Sequence, residues 1–280
     1  QEIVKKKFFL SNLLKEEKLI INNRAHQNII QPNIEKELAI FIHINCIEMW
    51  DNIKLFLDNL RLVNINIDLY VNFSEELNNE LEKYLNLKKE ISEIEYFDTI
   101  YFTESKQYGI DVVGFLNSYS KMLNLGIYYK SIIKIHSKTN KKWLNALIYS
   151  LLGNSKMIQK NFDYIKNENI GMIGYTTFNA IDFISKESSC YKNLGNYLNF
   201  FNINITNNSE FIPGRIFWIK DKILRKYLTM NKIRDIINNF NSNNESQANL
   251  NGKIQAFERL FGIFIKSEKK DIVSIEDITA

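Results

Sequence analysis

The chain of 280 residues has few of the residues that staple or interrupt a fold: two cysteines, two prolines and ten glycines. Cys46 and Cys190 form no short-spaced pair, which excludes a disulfide framework or a zinc cluster and fits a reducing compartment. No run of about 18 uninterrupted apolar residues occurs, so nothing reads as a transmembrane span. The first segment, QEIVKKKFFLSNLL, places basic residues before a short apolar stretch. It has neither a long apolar region nor a small-residue cleavage site, so a signal peptide is not expected. Gln1 in place of Met suggests a processed chain or a piece of something longer. Neither sign of charge dominates: 36 basic residues face 32 acidic ones, a net charge of +4. That excess is too mild to imply nucleic acid, and no aromatic-and-basic RNA motif is present. It permits an anionic small-molecule partner or loose contact with a membrane surface. Also missing are a Gly-x-Ser-x-Gly elbow, a P-loop, a His-Glu-x-x-His pair and a dinucleotide glycine fingerprint. Hydrolase, NTPase, zinc-protease and NAD readings therefore lack support.

What is present is an ordinary globular composition, 45% hydrophobic and 24% charged. From residue 37 the pattern alternates. ELAIFIHI, INIDLYVNFS, TIYFTES and YKSIIKIHSKTN read as strands. EMWDNIKLFLDNL, EELNNELEKYLNLKKEI and DVVGFLNSYSKMLNL, with helical apolar spacing, fall between them. Such alternation predicts a mostly parallel sheet with right-handed crossovers, an α/β fold of the Rossmann type. In the second half NIGMIGY and FIPGRIFWIK read as strands and KIQAFERLFGIFIK as a helix. The polar stretch IINNFNSNNESQANLNG (236–252) reads as a loop. Residues 1–36 are expected to form a helical N-terminal extension and 37–280 one continuous domain.

Ligands of open α/β sheets sit beyond the C-terminal strand ends. That rule singles out His43 with Asn45, Ser74, Glu104 with Ser105, and His136 through Asn140. His136 and Lys138 stand two apart, so in an extended segment they face the same way. With Lys134, Lys141, Lys142 and the hydroxyls of Ser137 and Thr139 they make a donor-rich cationic mouth, suited to a diphosphate. A solvated basic turn is the simpler alternative. Gly109 and Asp111 lie where a strand turns into a helix, an arrangement suited to an anion or ribose. Asp111 could equally satisfy free amides of the first turn. Gly214, after Pro213, gives room for close backbone approach to a ligand. Phe217 and Trp218 behind it read as sheet core. Glu258 and Arg259 sit within an apolar helix, so Glu258 is a candidate base with a raised pKa if buried, and otherwise part of an ordinary structural ion pair or an exposed pair of charges.

Taken in order, FIHINCIEMWDNI, DLYVNF, QYGIDVVGFL, YYKSIIKIHSKTNKKWLNALIYSLLG, IGMIGY, FIPGRIFWIKDKIL and GKIQAFERLFG resemble the rhamnan synthesis protein F family. These are glycosyltransferases of bacterial polysaccharide assembly, with relatives in large DNA viruses. The resemblance runs from about residue 38 to about 268. Its most specific pieces are Lys134–Lys138 and Ala256–Gly262. It implies a GT-A-type sheet that binds a nucleotide sugar at its strand ends, with rhamnose the default sugar. His43 would lie beside the nucleotide, Gly109 and Asp111 near nucleoside and donor sugar, and His136 and Lys138 where many relatives carry a metal-binding Asp-x-Asp pair. Two cationic side chains there predict metal-independent donor binding, without excluding Mg²⁺ or Mn²⁺. Glu258 is the first candidate base and Asp111 the second, with Arg259 orienting Glu258 or touching phosphate. The sequence departs from the family pattern at Gln107 (usually Asn), Val113 (usually Gly), Gln255 (commonly His) and Arg215 (usually small). The expected partners are a dTDP-, UDP- or GDP-sugar and a glycan or lipid-linked glycan. The expected location is the cytoplasm, at most touching the inner face of a membrane. A non-catalytic nucleotide- or glycan-binding module and a scaffold module are the alternatives.

Overall fold

A computed structural model describes residues 34–106, 111–181, 185–204, 209–241 and 246–275. Among these, seven strands form one sheet in the order β3-β2-β1-β4-β8-β5-β9. The strands are β1 (Ile34–Ile44), β2 (Ile67–Ser74), β3 (Thr99–Ser105), β4 (Ile127–His136), β5 (Ile170–Gly174), β8 (Phe217–Lys220) and β9 (Asp271–Ser274). A separate two-stranded ribbon joins β6 (Phe178–Asn179) to β7 (Glu210–Phe211). All pairings in the large sheet are parallel except those of β8, which runs antiparallel between β4 and β5. The α/β, mostly parallel architecture is the one the alternating pattern predicts.

Each strand of the buried centre splits its side chains between two faces, because successive residues point to opposite sides. On β1, Leu38, Ile40, Ile42 and Ile44 enter one core and Ala39 and Phe41 the other. Helices α1 (Trp50–Leu57), α2 (Leu81–Ser92), α4 (Lys141–Leu152) and α5 (Ser155–Lys166) cover the first face. The second lies under α3 (Asp111–Asn124), α6 (Ser189–Phe201), α7 (Asp221–Tyr227), α8 (Met230–Phe240) and α9 (Gln247–Ser267). Capping explains where several helices start. Asn140 accepts from Trp143 N at 3.0 Å and Asn154 from Met157 N at 2.9 Å, each satisfying a free amide of the first turn. Among the described residues no helix is long and apolar enough to cross a membrane.

Three sequence expectations change. Ile34–Lys36 belong to β1, not to a helical extension, because they extend the pairing with β4; residues 1–33 of that extension lie outside the described residues. The loop expected over 236–252 is largely helix: α8 runs to Phe240 and α9 starts at Gln247, where Ser246 caps it. FIPGRIFWIK is not one strand. It is divided by a turn with positive φ at Gly214 and Arg215, and that turn shapes the site.

Below the sheet centre Asp221, fully buried, accepts from Tyr119 Oη at 2.6 Å and Tyr129 N at 3.0 Å, with Arg225 Nε at 3.2 Å. Burial pushes this carboxyl above its usual range, with the two hydrogen bonds opposing. Tyr119→Phe leaves a buried acceptor short of one partner, so stability should fall by about 2 kcal/mol. Urea unfolding should show this as a lower midpoint at unchanged slope.

Candidate functional site

Lys134 and His136 occupy alternate positions of β4, on the face under α3, whereas Ile133 and Ile135 point the other way. His43 on β1 has the same parity and pairs in register with His136. Asp111 is the first residue of α3 and comes down onto this face. The result is a charged cluster at the C-terminal edge of the parallel strands. Asp111 is 1% exposed, and its Oδ2 lies 2.6 Å from Lys134 Nζ, itself 1% exposed. Arg215 Nε donates to Oδ2 at 3.1 Å and lies 2.9 Å from Oδ1. His136 Nδ1 is 3.6 Å from Oδ2 and has no hydrogen-bond partner among the described residues.

Arg215 reaches this point from an unusual backbone. Gly214 has φ +89° and Arg215 φ +56°. The second value costs a non-glycine residue roughly 1 kcal/mol. Glu258 on α9 holds the turn: one carboxylate oxygen accepts from Gly214 N, and the other is 3.5 Å from Arg215 Nη1. Lys134 Nζ also donates to Arg215 O at 3.1 Å. A Cβ at position 214 would press only on the movable end of the Leu147 side chain, at 2.7 Å, so it is the positive φ that favours glycine there.

The electrostatics sort these groups by role. Burial alone would raise the Asp111 carboxyl, but Arg215 and the neighbouring His136 and Lys134 outweigh it and hold the group well below its usual range. Burial lowers Lys134, and Asp111 partly offsets this. Burial drives His136 well below the ordinary histidine value. Burial thus disfavours the imidazolium that the cationic-mouth reading expects, with Asp111 at 3.6 Å opposing it. Lys138 is half-buried and lowered to about 8, by burial first and then by Arg215. Among the described residues Lys138 has no hydrogen-bond or ion-pair partner. Two carboxylates thus face three cations, and the surplus positive charge lies at Lys138 and the outer edge of Arg215.

Of the residues singled out in sequence, Asp111, His136, Lys138, Gly214 and Glu258 are brought together. His43 is adjacent but enclosed. It is 3% exposed, its Nδ1 is 2.8 Å from Asn72 Oδ1, and Gly114 of α3 lies so close that a Cβ there would sit 2.2 Å from the ring. Burial lowers its pKa also. Arg259 does not join the cluster. Its Nε and Nη1 donate to the carbonyls of Ala180 and Gln255, at 3.1 and 3.0 Å, and its guanidinium covers the Phe211 ring at 4.7 Å. The arginine that meets Glu258 is Arg215 instead. Lys141 and Lys142 are exposed in the first turn of α4. Gly109 lies outside the described residues. Lys134 is an inward-facing partner of Asp111, not part of a solvent-facing mouth. Its place in the inward parity of SIIKIH was the available signal. Arg215 stood out in sequence only as a bulky residue where the family has a small one. Among the described residues no group of three or more His, Cys, Asp or Glu side chains is arranged to hold a metal ion.

No family model matches the chain, and no curated protein does. Among solved structures, a malate dehydrogenase from Naegleria fowleri aligns at 11% identity over 79% of this chain and 76% of that one. Its TM-score of 0.19 carries no argument about activity.

Proposed function

We propose that this chain is a glycosyltransferase that moves a sugar, rhamnose by family resemblance, from a nucleotide-sugar donor to a glycan or glycolipid acceptor. The observation that carries the reading is the surplus of positive charge at Lys138 and Arg215, placed at the C-terminal strand ends where open α/β sheets bind ligands. Lys138 and the outer edge of Arg215 hold the donor diphosphate by charge-assisted hydrogen bonds. An acceptor hydroxyl attacks the anomeric carbon and the bond from that carbon to the diphosphate oxygen breaks. The nucleoside diphosphate leaves with the electron pair, and the hydroxyl proton passes to an oxygen of the departing diphosphate. Lys138 and Arg215 stabilise the charge that grows on the leaving oxygen. Asp111 is fixed between Lys134 and Arg215 and buried from any acceptor, so its part is to hold those cations in place. The same pairing supports a metal-independent donor site, because the carboxylate a divalent cation would use is already matched by two cations.

Incubation with a panel of dTDP-, UDP- and GDP-sugars should release nucleoside diphosphate from one of them. Lys138→Ala should raise the KM for that donor at least tenfold. Binding without turnover would favour a nucleotide-binding module, and neither binding nor turnover would remove the reading. Loss of turnover in chelator, restored only by Mn²⁺, would refute the metal-independent donor site.

The pH dependence has a definite sign. The folded value of Lys138, about 8, lies below its usual 10.5. Between those values the unfolded chain binds more protons, so this group adds stability as pH rises through the window. Ligand binding runs the other way, because phosphate favours the ammonium form. Affinity for a nucleoside diphosphate should therefore fall as pH increases through about 8, and Lys138→Arg should remove that fall.

A further inference from the structure

Helix α9 grips the segment 210–215 at two points one turn apart. At Gly262 the backbone of β7 approaches so closely that a Cβ would sit 2.1 Å from Glu210 O and 2.6 Å from Phe211 Cα. Four residues earlier, on the same face of the helix, Glu258 receives Gly214 N and Arg215 Nη1 on its two oxygens. The turn it holds has two successive residues at positive φ, a conformation of modest cost to the arginine that a partner on α9 helps to offset. Arg215 Nε is committed to Asp111, and among the described residues Nη2 has no partner.

We propose that Glu258 is a positioning residue for Arg215: its carboxylate clamps the Gly214–Arg215 turn so that the free edge of the guanidinium is presented to the phosphate of the ligand. This rests on the reading of the cluster as a diphosphate site. It opposes the role of Glu258 as the reaction's base, and the two roles predict opposite signs. Simple electrostatics says that removing a carboxylate from an anion site strengthens anion binding, since the net charge rises by one. A clamp predicts the reverse, because the lost order of Arg215 outweighs the gained charge.

The probe is inorganic pyrophosphate, titrated calorimetrically into the wild-type protein and into Glu258→Gln, Glu258→Asp, Arg215→Ala and the Glu258→Gln/Arg215→Ala double variant. Glu258→Gln should bind at least tenfold more weakly despite its extra positive charge. Glu258→Asp keeps the charge but shortens the reach, and it should also weaken binding severalfold. The double variant should bind no more weakly than Arg215→Ala alone, within about twofold, since a clamp without its arginine has nothing to hold. With a turnover assay, the KM for the donor should rise more than kcat falls. Unchanged or tighter pyrophosphate binding by Glu258→Gln overturns the clamp while leaving the diphosphate site standing. So does full additivity of the two substitutions. Failure of the wild-type protein to bind pyrophosphate overturns the site reading itself, and the clamp with it.

Discussion

Asp111→Ala should destabilise the protein by about 3–5 kcal/mol, the cost typical of breaking a buried ion pair from one side. The substitution strands Lys134, 1% exposed, with the Arg215 carbonyl as its remaining hydrogen-bond partner among the described residues. It also frees Arg215 from the carboxylate that fixes Nε. Between pH 6 and 9 the loss should be greatest at the acid end. Burial already sets Lys134 below the usual lysine value, and without Asp111 the folded-state value falls further. Between that folded value and the unfolded one, stability then rises with pH as the buried amine is relieved of its proton. Chemical denaturation across pH 6–9 should therefore show the gap between wild type and variant closing toward the alkaline end. The double variant Asp111→Ala/Lys134→Met removes both charges and replaces the lysine stem with an apolar one of similar length. It should recover most of the lost stability while remaining unable to bind pyrophosphate well. Equal instability of the single and double variants would show that the pair is not what the buried lysine depends on.

Gly262→Ala should be as damaging, through a different mechanism. The added methyl meets a carbonyl oxygen and a Cα, so the neighbour that must yield is backbone, not the end of a flexible side chain. Overpacking of this kind costs typically 1–3 kcal/mol, and more where the chain cannot move aside. Here β7 is tied to β6 and leads within three residues to the Gly214–Arg215 turn. The expected result is a loss of about 3 kcal/mol in urea unfolding, with pyrophosphate affinity reduced at least tenfold in the protein that remains folded. Affinity at the wild-type level in a folded Gly262→Ala protein would mean that β7 and the turn move independently. That result would argue against α9 as the frame of the site.

The parallel half of the fold was legible because its signals are local. Runs such as AIFIHI and DLYVNF are apolar on both sheet faces, and the amphipathic stretches between them have helical spacing. The antiparallel insertion of β8 was not legible. FWIK is four residues long, and nothing within it states which neighbours it will pair with. The polar, low-complexity character of 236–252 suggests a loop, yet Ile233, Ile236 and Phe240 bury one face of α8 and hold its end as helix. In the site, the apolar run of SIIKIH ends a strand at His136, which puts His136 at its last position and Lys138 two residues beyond. Burial disfavours the charge that the sequence reading gives His136, and the ring's own neighbours in sequence do not reveal that Asp111 and α3 come down onto it. The partnership of Asp111, Arg215 and Glu258 joins three segments across 104 and 43 residues of chain, and no spacing rule spans such distances.

That separation bears on how the molecule is made. Strands β1 to β4 can pair once residue 136 has left the ribosome, and Asp111 and Lys134 can then meet. The strand that shields β4 on its other side starts at Phe217, and the carboxylate that holds the arginine turn comes at residue 258. For the interval between, a growing chain carries a half-built sheet whose open edge is β4, with a lysine and an aspartate not yet covered. An exposed edge of this kind invites pairing with other chains. Synthesis slowed between residues 140 and 217 should therefore raise the fraction that aggregates, and the charged pair near that edge would be its main protection until β8 arrives.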